Sequence, residues 1–163
     1  MSKPKVLLVD DLEFYRKLGK IYLKNIGCHV FTAKDGKDAV DKVEKDNYDL
    51  IFMDLQMPTM DGMDATMEIR KKNKKIKIVG LTAIDSPVDQ DDCIDNGMDY
   101  VLTKPVSQKD LINVLKKYRI ISKSKRVRKI KIKNMPTTPL FEKTCDSFKV
   151  INAPVEMDNV IED

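Results

Sequence analysis

Two adjacent acids, Asp10 and Asp11, directly follow the apolar run Val6 to Val9, and a third, Asp54, directly follows Leu50 to Met53. Thr82 and Ala83 follow the run Ile76 to Leu81, and Lys104 and Pro105 come after Tyr100 to Leu102. If these runs are strands of one parallel sheet, five polar side chains converge on one rim, at the carboxyl ends of the strands where such sheets bind ligands. Three carboxylates held a few ångströms apart repel, and they cannot all stay ionised without compensation. A hard cation resolves the conflict. Mg2+ takes oxygen ligands, keeps several waters and is commonly bound by one or two carboxylates plus a phosphate. Lys104 adds a further positive charge and Thr82 a hydroxyl donor.

Each element also has a bland reading. An Asp pair after a strand can be the N-cap of the next helix, a Lys-Pro pair can be a turn, and Asp54 can initiate a turn ahead of Met57 and Pro58. What the bland readings leave unexplained is the joint occurrence of suitable residue types at four strand ends in order.

The elements that must hold these side chains are legible as alternating patterns. The five runs, the second being Val30 to Ala33, are rich in β-branched and aromatic residues. Between the first two, Leu12, Tyr15, Leu18, Tyr22 and Ile26 recur at helical spacing, as do Leu111, Val114, Leu115 and Tyr118 near the end. Ser86-Pro87 resembles an N-cap with proline at the first helical position, and Ser107 with Asp110 a capping box. Gly27 and Gly97 fall where helices should stop. Strands separated by helical crossovers imply a parallel sheet covered on both faces, an α/β doubly wound fold. Asp54 is expected just after the third strand, partly buried.

The 163 residues suit one domain plus a modest appendage, and 42% hydrophobic beside 34% charged residues suits a soluble globular protein. No apolar run reaches bilayer-spanning length and no signal-peptide pattern precedes the first strand, so a cytoplasmic location is expected. Cys28, Cys93 and Cys145 are widely spaced and suggest reduced thiols rather than a disulfide framework or zinc site. The single histidine, His29, sits at the start of the second strand and is read as a packing or surface residue. Met57, Met60, Met63 and Met67 are read as loop and core packing. No nucleotide-binding glycine motif is present.

Taken together, the stretches Val9 to Asp11, Met53 to Gly62, Leu81 to Ala83 and Thr103 to Pro105 make residues 4–119 resemble a response regulator receiver domain, the CheY-like phosphoacceptor module of two-component signalling. The resemblance implies a five-stranded sheet in the flavodoxin-like order 2-1-3-4-5. It implies that Asp54 is phosphorylated, that Asp10, Asp11, Asp54 and the backbone carbonyl of Gln56 bind Mg2+, and that Thr82 and Lys104 contact the phosphoryl oxygens. A cis Lys104-Pro105 bond and close loop packing at Gly62 are further implications. The donor is then a histidine kinase or a histidine phosphotransfer protein, and the chain is a switch rather than an enzyme. The readout surface would be the fourth helix, fifth strand and fifth helix, as a partner or dimer interface. Where many members carry an aromatic three residues before the lysine, this chain has Val101, with Tyr100 on the opposite strand face. An aromatic rotation is therefore not expected from position 101. Gln56 and Ile84 would flank the route of attack and tune dephosphorylation.

Charge separates the chain into two materials near Ile121. Residues 1–121 hold 21 basic and 20 acidic side chains, residues 122–133 seven basic and none acidic, and residues 134–163 two basic and six acidic. The expected organisation is a receiver over 1–121 and an extension over 122–163 with no recognised domain. Lys129 to Lys133 alternates like an edge strand, and Met135 to Pro139 reads as a loop. An alternative function follows from the basic run: a receiver gating a tail that binds nucleic acid, recognisable by steeply salt-dependent duplex binding.

Overall fold

The structure, a computed structural model, describes residues 2–83, 87–127 and 130, with residues 87–89 described by their backbone alone. Ile84, the expected N-cap Ser86, Cys145, the loop at Met135 to Pro139 and all of the Lys129 to Lys133 stretch but Ile130 lie outside the described residues.

Five strands and five helices alternate: β1 Lys5–Val9, α1 Glu13–Ile26, β2 His29–Ala33, α2 Gly36–Lys45, β3 Leu50–Asp54, α3 Gly62–Lys72, β4 Lys77–Thr82, α4 Pro87–Asp95, β5 Tyr100–Thr103 and α5 Gln108–Lys117. All strand pairs are parallel and the order is β2-β1-β3-β4-β5, as the resemblance implied. Asp54 is the last residue of β3, paired with Leu81, rather than the first residue beyond the strand.

Side chains alternate across a strand, so each strand feeds two cores. Leu7, Val9, Ile51, Met53 and Ile78 join Ala39, Val40, Ala65, Ile69, Cys93 and Met98 beneath α2, α3 and α4. Val6, Leu8, Leu50, Phe52, Val79 and Leu81 turn the other way and are buried on the side of α1 and α5. Gly19 of α1 lies directly over Leu8, leaving no room there for a side chain. The buried stripe of α1 is Tyr22, Leu23 and Ile26, with Tyr15 and Leu18 only half-buried. Leu23, absent from the expected stripe, is fully buried because it faces the sheet one position on from Tyr22.

Helix ends follow local chemistry. Asp35 and Asp61 accept the N–H groups of Asp38 and Asp64, capping α2 and α3. Ser107 and Asp110 form the expected capping box on α5. Gly27 and Gly97 follow α1 and α4 at φ of 99° and 103°, a region closed to most side chains. Of the four methionines read as packing, Met57 is buried and Met60 and Met63 border the core, but Met67 is 40% exposed on the outer side of α3. His29 is exposed beside Phe31, at the β-strand end remote from the rim.

The compact unit runs from Met1 to Ile130, past the composition change at Ile121. Ile121 is buried, the Lys125 ammonium lies against Gly27 at the end of α1, and the Ile130 N–H donates to the Gln108 side-chain oxygen at 3.3 Å. Among the described residues no helix is long and apolar enough to cross a membrane.

Candidate functional site

The rim at the carboxyl ends of β1, β3, β4 and β5 gathers the residues expected there. Asp10 leaves β1 with its N–H on the Ala33 carbonyl at 3.2 Å, which ties the strand end to β2. Its Oδ1 accepts the Leu12 N–H at 2.9 Å and its Oδ2 accepts the Lys104 ammonium at 2.8 Å. Asp54 Oδ1 accepts the Gln56 N–H at 3.2 Å. Asp54 Oδ2 is buried and ion-paired with the same ammonium at 3.2 Å. Asp10, Asp11 and Asp54 each offer a carboxylate oxygen within 4.8 Å of the others.

Lys104 is positioned by its own backbone: its N–H donates to the Thr82 carbonyl at 2.6 Å, joining the ends of β4 and β5, and the Lys104-Pro105 bond is cis. Thr82 is 4% exposed at the end of β4. The Lys104 ammonium also lies 5.0 Å from the ring centroid of Tyr15, whose face attracts a cation. Tyr15 had been read only as part of a helical stripe, and no residue-type signal marks it as a neighbour of the site.

Burial is deeper than expected. Asp54 is 2% exposed rather than partly open: the Lys104 ammonium lies at its Oδ2 and the start of α3 packs on its main chain at Gly62. Gly62 is what lets α3 approach: its N–H donates to the Leu55 carbonyl at 3.1 Å, and a Cβ at this position would run into the carbonyl oxygen of Asp54. Gly62→Ala is expected to cost about 2 kcal/mol or more, the scale of overpacking, measured by urea denaturation. An unchanged midpoint would mean that α3 does not constrain the Asp54 backbone.

Burial pushes the Asp54 carboxyl up to about 6, with Lys104 pulling it back and Asp10 adding to the rise. Burial works against the Lys104 ammonium, but Asp54 and Asp10 outweigh it and hold that group above its ordinary value. One ammonium thus pairs with two of three clustered carboxylates, Asp10 and Asp54, both buried. An all-oxygen donor set of this kind fits a small hard divalent cation such as Mg2+. Each fully buried core side chain contributes roughly 2 kcal/mol, and Phe52, Leu7 and Leu23 are among a dozen such residues. The fold can carry the cost of the site.

One side chain bonded to the main chain at the rim escaped the sequence reading. Arg16, on the first turn of α1, donates from one guanidinium nitrogen to the carbonyls of Asp10 and Asp11 at 2.6 and 2.9 Å. Its acceptors are main-chain atoms, which no residue type announces.

Comparison with known proteins agrees with this geometry. A family model described as the response regulator receiver domain matches residues 6–116. Over 123 residues, 72% of this chain, the sequence is 39% identical to hybrid signal transduction histidine kinase F of Dictyostelium discoideum, of which the match spans 11%. This chain thus covers a small part of the length of that curated relative. Among solved structures, chemotaxis protein CheY4 of Vibrio cholerae is similar with a TM-score of 0.69 at 31% identity, over 72% of this chain and 99% of that one. The receiver domain of sensor histidine kinase PA1611 from Pseudomonas aeruginosa, a structure with a magnesium ion coordinated in its active site cleft, is similar with a TM-score of 0.67 at 32% identity, over 72% and 98% of the two chains.

Proposed function

The chain belongs to the response regulator receiver domain family of two-component signalling, and from that premise we propose that Asp54 accepts a phosphoryl group from a partner's phosphohistidine and thereby switches a protein-binding surface. The observation that carries this reading is the buried Asp54 carboxylate beside Asp10, Asp11 and Lys104.

In the transfer, an Asp54 oxygen attacks phosphorus in line with the leaving nitrogen; the new O–P bond forms as the N–P bond breaks, and the electron pair stays on the donor's imidazole. No general base is needed, because the attacking carboxylate is ionised above its pKa. Lys104 stands where negative charge gathers on the phosphoryl oxygens, and the Thr82 hydroxyl is the further donor. Asp10, Asp11, Asp54 and the carbonyl of Gln56 would hold Mg2+, which when bound neutralises charge on the transferring group. The product is an acyl phosphate that water later cleaves, so the chain acts as an acceptor with phosphotransfer and its own dephosphorylation as its only chemistry. The donor class is a histidine kinase or histidine phosphotransfer protein, in keeping with the hybrid-kinase relative.

Switching follows from competition for Lys104. Phosphoryl oxygens draw the ammonium away from Asp10, and the ends of β4 and β5, joined at Thr82 and Lys104, respond. The proposed readout is α4, β5 and α5, where Ile94 and Tyr100 are 44% and 38% exposed. Tyr100 sits under the Lys117 ammonium, 3.7 Å from its centroid, whereas Val101 packs toward the core beside Gly80. Repositioning of the β4 and β5 ends, rather than an aromatic flip at 101, is the expected change. Residues 1–121 carry this function, with 122–163 as the extension.

Incubation with a small phosphodonor such as acetyl phosphate and Mg2+ tests the reading by intact mass. The parent gains one phosphoryl group, while Asp54→Asn and the chelator-treated parent gain none. A gain in Asp54→Asn, or none in the parent at saturating Mg2+, rejects it.

A further inference from the structure

We infer that Arg16 is a positioning residue for the acidic pocket, holding Asp10 and Asp11 in the geometry that binds a divalent cation. The inference rests on the phosphoacceptor reading only in identifying what the pocket is for.

The neighbouring residue supplies the contrast. Lys17 makes an ordinary exposed pair with Glu13 at 2.8 Å, one helical turn away. Arg16 instead turns back across the start of α1, and a single guanidinium nitrogen bridges the carbonyls of Asp10 and Asp11. Those two carbonyls belong to the peptide planes on either side of the Asp11 Cα. Since a peptide unit is planar, pinning both planes fixes the backbone angles of Asp11 and hence the direction of its Cα–Cβ bond. The carboxylate of Asp10 has other ties, to the Leu12 N–H and to Lys104. Leu12, the N-cap of α1, makes no side-chain capping bond, so the turn lacks the tie that a Ser or Asp would supply at this place.

Arg16 thus does two things at once. It orders the loop that presents two carboxylates, and it stands behind them with the positive charge of its guanidinium. Lysine could match the charge, but it ends in a compact ammonium on a flexible stem rather than a planar guanidinium.

Outer partners that orient metal ligands typically change affinity by about 10–100-fold when removed. Mg2+ alone, titrated into the unphosphorylated full chain, can be followed through the amide resonances of Leu12 and Gln56, which bond the carboxylates of Asp10 and Asp54. Arg16→Gln is expected to raise the Mg2+ dissociation constant at least about tenfold, and Arg16→Lys to fall between it and the parent. Acetyl phosphate reactivity of both variants should return toward the parental rate at saturating Mg2+. A lower melting temperature with an unchanged dissociation constant would reduce Arg16 to a structural tie and overturn the inference. If Arg16→Gln does not fold, Arg16→Lys decides: weakened Mg2+ binding supports the inference and parental binding refutes it. A parent that binds Mg2+ more tightly than the variants but gains no phosphoryl group leaves Arg16 in this role and removes the phosphoacceptor reading instead. A phosphorylated parent whose Mg2+ dependence the variants share does the reverse.

Discussion

Lys104→Met is expected to destabilise the metal-free protein by about 3 kcal/mol at pH 7.5, the scale on which removing one partner strands a buried charge. The Lys104 side chain is 11% exposed, and its partners Asp10 and Asp54 are 2% and 3% exposed, so solvent screening can soften the loss only a little. Methionine keeps an unbranched stem of similar length, which isolates the charge from most of the volume. Two measurements separate this from ordinary loss of packing. The deficit should shrink as pH falls below 6, because protonated Asp54 no longer needs the cation, and it should shrink on addition of Mg2+, which binds the folded state only. Urea denaturation with and without chelator reads both. A loss under about 1 kcal/mol, or a larger one insensitive to pH and Mg2+, would mean that the ammonium does not balance these carboxylates. Reactivity toward acetyl phosphate should fall by about a hundredfold or more, as for other removed donors to developing charge.

Asp54→Asn should have the opposite effect on stability. The ordinary carboxyl value is 3.8 and the folded one about 6, raised by burial foremost. Between those values the folded state keeps a proton that the unfolded state has released. The contribution is therefore fully present below about pH 4 and is lost as pH rises through 6. About two pH units at roughly 1.4 kcal/mol each puts the cost of the ionised group near 3 kcal/mol above pH 7. Asparagine, which never ionises, escapes it. The metal-free variant should exceed the parent by up to about 3 kcal/mol at pH 7.5, less what is lost with the Lys104 pair, and the gap should close toward pH 4. Thermal or urea denaturation in chelator across this range checks the sign. A variant weaker than the parent at pH 7.5 would show that Lys104 already compensates Asp54 in full. The unfavourable charge of the ionised site also biases it toward binding a cation, which a phosphoryl group, bringing further negative charge, would need beside it.

These residues also mark where sequence reading succeeds and where it stops. Asp10, Asp11, Thr82 and Lys104 were legible because strand periodicity assigns each to a strand end and a parallel sheet sends those ends to one rim. The depth of Asp54 was not. A strand pattern reports where a run ends, but the cover over that end comes from Gly62 and Lys104, whose approach is a tertiary fact. Gly62 could be picked out by motif, yet its reason, backbone against backbone, appears only in coordinates. Arg16 was invisible on physical grounds, since an arginine on the first turn of an amphipathic helix reads as a solvated face and its acceptors carry no side-chain identity. Leu23 falls outside the expected stripe although it is fully buried, because helical spacing fixes a stripe only to within one residue, and Met67, read as packing, is 40% exposed. At Ile121 composition changes abruptly while contact continues to Ile130, because a basic side chain such as Lys125 can rest on a helix end as readily as in solvent.

The most direct test reads the bond itself. After reaction with acetyl phosphate and Mg2+, borohydride reduces an aspartyl phosphate to homoserine, and peptide mass mapping locates it. Homoserine is expected at position 54 and at no other acid, formed only with Mg2+ present. Homoserine at Asp10 or Asp11, or unmodified Asp54 in a protein that binds Mg2+, would contradict it.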